Sequence, residues 1–140
     1  MKNNDKVFLL DMYNQDVFPG DLEAQKNVDY KVPLDSYTDG KEYLESLTEA
    51  LQNIAHNFDL IFYNAGTDVL AGDRLGLLNL KKDEIIKRDE IVFKYAFEHN
   101  TPIVMVLSGG YQKSNAKIIA DSILNLRQKF FIKLQSKSIR

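Results

Sequence analysis

Two stretches of the chain hold the residue types that do chemistry. Tyr63-Asn64-Ala65-Gly66-Thr67-Asp68 runs on toward Gly72-Asp73-Arg74-Leu75-Gly76, and Ser108-Gly109-Gly110-Tyr111-Gln112-Lys113 follows an apolar run. Ligands of open α/β sheets gather at the carboxyl ends of strands. Asp68 therefore stands where a functional carboxylate would sit, and two neighbouring strand ends bring it and the Tyr111 phenol to one rim. The bland readings stay open at this point: Asp68 as a solvated turn aspartate and Tyr111 as a core tyrosine. Phe18 and Leu75 read equally well as plain apolar residues. Gly-Gly-Tyr-Gln-Lys-Ser also suggests a phosphate loop, since a glycine-rich turn entering a helix offers free N–H groups to an anion. It lacks the Gly-x-x-x-x-Gly-Lys-Ser/Thr spacing of a nucleotide P-loop.

The elements that must position these residues follow from hydropathy. Lys6–Asp11 reads as a short buried strand, and Pro19-Gly20 marks a turn. Val28–Leu34 alternates as a second strand, on an edge because of Pro33. Tyr43, Leu47, Ala50, Leu51 and Ile54 form one stripe of a helix over Lys41–Asn57, with Asp39-Gly40 as turn and cap. Asp59–Tyr63 is a strand. Residues 83–100 form a helix capped by Asp83 or Asn79, with Ile85, Ile86, Val92, Phe93, Ala96 and Phe97 on its buried face. Pro102–Leu107 is a strand with a continuous apolar run. The last helix starts near Ser114, and Ala116, Ile119, Ala120, Ile123 and Leu124 share a face. This order predicts an α/β fold, a mostly parallel sheet with helices on both faces. The expected division is one domain over 1–126 and a basic tail over 127–140, with five basic residues and no acidic one.

Composition narrows the function classes. With 140 residues, 44% of them hydrophobic, the chain suits one globular domain with a modest core. A net charge of −2 gives no nucleic-acid footprint. The absence of cysteine excludes disulfides, thiolate metal sites and a cysteine nucleophile. No apolar run approaches a membrane span, and residues 1–5 show no signal-peptide pattern, so an intracellular protein of nucleus or cytoplasm is expected. His56 and His99 both fall at predicted helix C-termini and read as structural.

The three motifs, in this order, resemble the C-terminal part of a zinc-dependent histone deacetylase, closest to the class IV branch. The resemblance runs from about Lys6 to Leu126. It implies the arginase/deacetylase three-layer fold, here its C-terminal half, and hydrolysis of acyl-lysine amides on a protein such as a histone. It implies that Asp68 is one of three protein ligands of a catalytic Zn2+, whose open position takes water and the substrate carbonyl. Tyr111 is then the donor to the developing oxyanion. Gly109 and Gly110 let the backbone approach the substrate, and Phe18 and Leu75 line the acyl-lysine channel. Asp73 and Arg74 read as an ion pair holding the loop. Asp11-Met12, taken as a strand end, resembles a place for a structural K+. The family's His-His and Asp-x-His motifs are not in this sequence. The chain alone is therefore expected to be inactive and marginally stable, with a missing N-terminal half as its partner. The rival readings are a non-catalytic deacetylase-like binding or regulatory module and a small nucleotide-binding α/β domain.

Overall fold

The computed structural model describes residues 5–17 and 20–132. In chain order the elements are β1 (Leu10–Asn14), α1 (Leu22–Gln25), β2 (Tyr30–Leu34), α2 (Gly40–Gln52), β3 (Ile61–Asn64), α3 (Lys82–Glu98), β4 (Ile103–Val106) and α4 (Asn115–Lys129). The strands pair in parallel. β1 lies beside β2 with Leu10 opposite Tyr30, and β3 lies beside β4 with Ile61 opposite Ile103. The α/β class is as expected. Among the described residues, however, the strands form two separate two-stranded sheets.

The core lies where β2, α2, the segment after β3, α3 and α4 meet. Leu34, Tyr43, Leu70, Leu78, Leu80, Ile85 and Ile118 are buried together there. α3 packs against both α2 and α4. The Asp39 carboxylate caps α2, accepting from Glu42 N at 3.0 Å. α3 starts one turn after Leu78, and its cap is Lys81 rather than Asp83 or Asn79. The Glu84 carboxylate reaches back to accept from Lys81 N at 2.6 Å.

Several elements depart from the sequence reading. β1 begins at Leu10, not Lys6. Val7 and Leu9 are about half exposed, and Phe8 turns aside to stack on His56, with ring centroids 4.3 Å apart. α1 was not expected; Asp21 caps it by accepting from Ala24 N at 3.0 Å. α2 ends at Gln52, so His56 lies beyond the helix and belongs to an aromatic cluster with Phe8 and Phe58. α4 buries Asn115, Ile118, Ser122 and Leu126, while Ile123 and Leu124 of the expected stripe are exposed. α4 continues past Leu126 to Lys129. Lys129 pairs with Glu90 at 2.6 Å, and Phe130 stacks on Phe97 at 4.8 Å.

Two surfaces are left bare. On the β3–β4 pair, Tyr63 turns inward to α3, while Phe62, Val104 and Val106 are exposed, Phe62 at 72%. Strands whose residues are apolar on both sides are the mark of a sheet covered on both faces. In addition, a cavity of about 630 Å³ is lined by residues of β1 and β3 and by α2 and α3 side chains such as Leu47 and Val92.

Candidate functional site

The loops that leave β3 and β4 emerge at the same end of a parallel pair, in register up to Asn64 opposite Val106. They are tied at once. Ala65 N donates to Val106 O at 2.9 Å, and Thr67 N donates to Gly109 O at 2.6 Å. Asp68 and Tyr111 thus sit on adjacent, cross-bonded segments.

Asp68 is half-buried and lines the cavity. Glycines hold it from two directions. A side chain on Gly109 would run into its carboxylate, and one on Gly76 would run into its backbone carbonyl. Among the described residues, no hydrogen bond holds the Asp68 carboxylate, so both oxygens are left to accept from, or ligate, something else. Gly110 takes φ +134°, and a Cβ there would collide with the Thr67 hydroxyl. Gly109 and Gly110 thus make room for Asp68 and Thr67. Tyr111 is 68% exposed and Leu75 61%, so neither is a core residue. Phe18 lies outside the described residues.

Asp73 is only 2% exposed. It does not pair with Arg74, which is exposed. Its carboxylate instead accepts from three backbone amides: Leu75 N at 2.9 Å, Gly76 N at 3.2 Å and Tyr111 N at 3.1 Å. With the Tyr111 amide engaged in this way, the glycine turn has one fewer N–H for a phosphate.

Behind the rim is a buried polar knot that the sequence reading missed. Asp89 accepts from Tyr63 Oη at 2.5 Å, Arg88 Nε at 2.9 Å and Ser122 Oγ at 2.6 Å. Arg88 Nη1 donates to Gly66 O at 2.6 Å, joining α3 to the strand end. Burial, with the Asp89 charge adding to it against the pull of Arg88, raises the Tyr63 phenol well above its ordinary range, so it stays a donor. Burial disfavours the Arg88 charge, yet its pKa is raised overall, and beside the Asp89 carboxylate the guanidinium remains cationic. One signal was available. The α3 stripe skips from Ile85 to Val92, and the skipped inward positions, i+3 and i+4, are Arg88 and Asp89. Asn115 is a second omission, buried beside Gly110 with no partner for its side-chain amide among the described residues.

The sequence matches the family described as "Histone deacetylase domain" over residues 1–127. The chain belongs to the histone deacetylase family. It is 49% identical to "Histone deacetylase 2" of Arabidopsis thaliana over 132 residues, which is 93% of this chain and 34% of that protein. It is 32% identical to "Histone deacetylase clr6" of Schizosaccharomyces pombe over 64% of this chain and 22% of that protein. Among solved structures, an acetylpolyamine aminohydrolase from Burkholderia pseudomallei aligns with TM-score 0.64 and 16% identity, over 83% of this chain and 35% of that one. The HDA15 HD domain aligns with TM-score 0.63 and 19% identity, over 87% and 39%. These likenesses show the arginase/deacetylase fold. The chain spans about a third or less of the length of the curated deacetylases it matches.

Whether this histone deacetylase segment holds a metal by itself is a question of donors. Among the described residues, no three His, Cys, Asp or Glu side chains converge. His99 Nδ1 lies 2.8 Å from Tyr95 O and its ring stacks on Tyr95, while His56 is in the Phe8 cluster. Asp68 offers one suitable ligand, and one ligand does not make a zinc site. Asp11 and Met12, the expected potassium position, lie within β1, which ends only at Asn14. Burial raises the Asp11 carboxyl above its ordinary value.

Proposed function

We propose that this chain is the C-terminal part of a zinc-dependent lysine deacetylase on the class IV side of the family, acting on acyl-lysine in proteins such as histones. The observation that carries the reading is the pairing of the Asp68 and Tyr111 segments at adjacent ends of β3 and β4 in a family member. Asp68, whose carboxylate has no hydrogen bond among the described residues, supplies one zinc ligand. Tyr111, exposed at the rim, donates its phenolic proton in a hydrogen bond to the oxygen of the acyl carbonyl as negative charge gathers there. Leu75, Gly109 and Gly110, with Phe18, shape the approach of the acyl-lysine side chain.

The remaining ligands and the base come from the rest of the deacetylase domain, which this reading makes the chain's partner. The bare faces support it. The cavity between β1 and β3, and the exposed Phe62, Val104 and Val106, are apolar surface that a further strand and a covering layer would bury. Nucleus or cytoplasm is the compartment implied, and no helix among the described residues is long and apolar enough to cross a membrane. K+ bound near Asp11 belongs to the same reading.

In the complete domain, Asp68→Ala should abolish zinc binding. Tyr111→Phe should lower turnover on an acetyl-lysine peptide by about a hundredfold with zinc retained. Full activity in either variant would overturn the role given to that residue. That no three metal-ligating side chains converge among the described residues favours a second reading for the chain acting alone, a non-catalytic binding module. A purified 140-residue protein that binds a protein partner without metal would support that reading.

A further inference from the structure

Tyr111 is exposed, yet its backbone is not free to wander. The segment that carries it is braced at two points by the loop after Asp68. The Asp73 carboxylate accepts from Tyr111 N at 3.1 Å with one oxygen, and from Leu75 N and Gly76 N at 2.9 and 3.2 Å with the other. One residue further on, Gln112 Nε2 donates to Ala71 O at 3.0 Å. Asp73 is 2% exposed, and its three charge-assisted bonds all go to backbone amides, which makes it a rigid fixture. A carboxylate is the side chain this arrangement needs, because every neighbour is a donor. The same oxygen pair fixes Leu75 and Tyr111 relative to each other, although 36 positions separate them in the chain.

We infer that Asp73, seconded by Gln112, is the positioning residue for Tyr111, holding the phenol in register with the Asp68 carboxylate. Leu75 is set by the same clamp. Neither Asp73 nor Gln112 needs to touch substrate. The inference rests on the deacetylase reading of Tyr111. Asp73→Asn tests it, because the change turns one acceptor into a donor that faces a donor while keeping size and shape.

The experiment is a double-mutant cycle in the complete, zinc-loaded deacetylase domain. kcat and KM on an acetyl-lysine peptide are measured for wild type, Asp73→Asn, Tyr111→Phe and the double variant, together with zinc content. The expected result is a kcat about tenfold to a hundredfold lower in Asp73→Asn, with KM within about twofold and zinc content unchanged. In the Tyr111→Phe background the same substitution should change kcat by less than about threefold, because the group it positions is gone. Hydrogen exchange at the Tyr111 amide should quicken in Asp73→Asn. An equal loss in both backgrounds, or unchanged kcat in Asp73→Asn, would overturn the inference. Unchanged kcat in Tyr111→Phe would instead overturn the deacetylase reading itself, and the inference with it. Should Asp73→Asn lose zinc or fail to fold, Gln112→Ala enters the same cycle. It should show a smaller loss that likewise vanishes without the Tyr111 hydroxyl, and a loss of equal size in both backgrounds would again overturn the brace.

Discussion

At the carboxyl ends of β3 and β4 the loops hold one another through Thr67, Asp73 and Gln112, and a buried knot of Tyr63, Arg88, Asp89 and Ser122 anchors them from behind. Along β1 and the outer face of β3 the opposite holds. The strands there have one ladder partner each among the described residues, and apolar side chains line a cavity or face solvent. The difference separates two jobs within a single chain. The Tyr111 side of the candidate site is braced by local residues, whereas under the proposed function the Asp68 side would need further metal donors. On the proposed reading, the chain holds the Asp68 and Tyr111 segments in a set geometry, and the remaining zinc ligands belong to the rest of the domain.

The comparison can be broken most forcefully at the closed side. Arg88→Met removes the cation from a buried carboxylate, and such uncompensated charges cost about 3–5 kcal/mol. Urea unfolding of the complete domain should show that loss, and a change below about 1 kcal/mol would mean that the knot does not anchor the rim. At the open side, the size of the effect should depend on what surrounds it. Phe62→Lys should leave the 140-residue chain within about 0.5 kcal/mol of its starting stability, because the side chain is already exposed. In the complete domain it should cost about 3 kcal/mol, as a charge placed against a covering layer. Equal effects in the two settings would mean that nothing covers this face.

The smallest effect is set by pH. Burial alone would raise Glu90, but Lys129 and Lys87, which bond it at 2.6 and 2.9 Å, outweigh burial and hold it at about 2. A folded-state value lowered from 4.5 contributes stability that is complete above about pH 4.5 and is lost as pH falls toward 2. Both lysines are about half exposed, so solvent screening reduces the contribution to about 1 kcal/mol. Acid unfolding curves of wild type and Glu90→Gln should differ by that amount at pH 6 and converge near pH 2.

Some of this was legible in the residues and some was not, for physical reasons. α2 was readable because its stripe and its Asp39 cap agree. The strand ends at Asp68 and Tyr111 were readable because small and polar residues follow apolar runs. α4 was misread because its apolar stripe, Ile123 and Leu124 included, faces out, while Asn115 and Ser122 turn inward to polar partners or to none. Hydropathy cannot choose the buried face of a helix when the inward contacts are polar, or when the apolar face belongs against a layer outside the chain. Arg88 and Asp89 were passed over for the same reason, since a charged pair reads as surface unless its place on the stripe is noticed. The Asp73 clamp lies deeper still. Its partners are backbone amides, two in its own loop and one from a segment 38 residues away, and no side-chain pattern announces the last.

The Tyr63 hydroxyl has a consequence beyond the stability of the knot. Side chains alternate along a strand, so sliding β3 by one residue would turn Tyr63 outward and Phe62 inward. Asp89 would lose a donor, and Arg88 would lose its grip on Gly66. A slip that is cheap in a short four-residue strand becomes costly here, and the strand is indexed to a single position. Asp68 emerges five residues after that position, at a height set by the Tyr63–Asp89 bond. The placing of the Asp68 carboxylate is thus tied to a partly buried phenol on the α3 side of the strand.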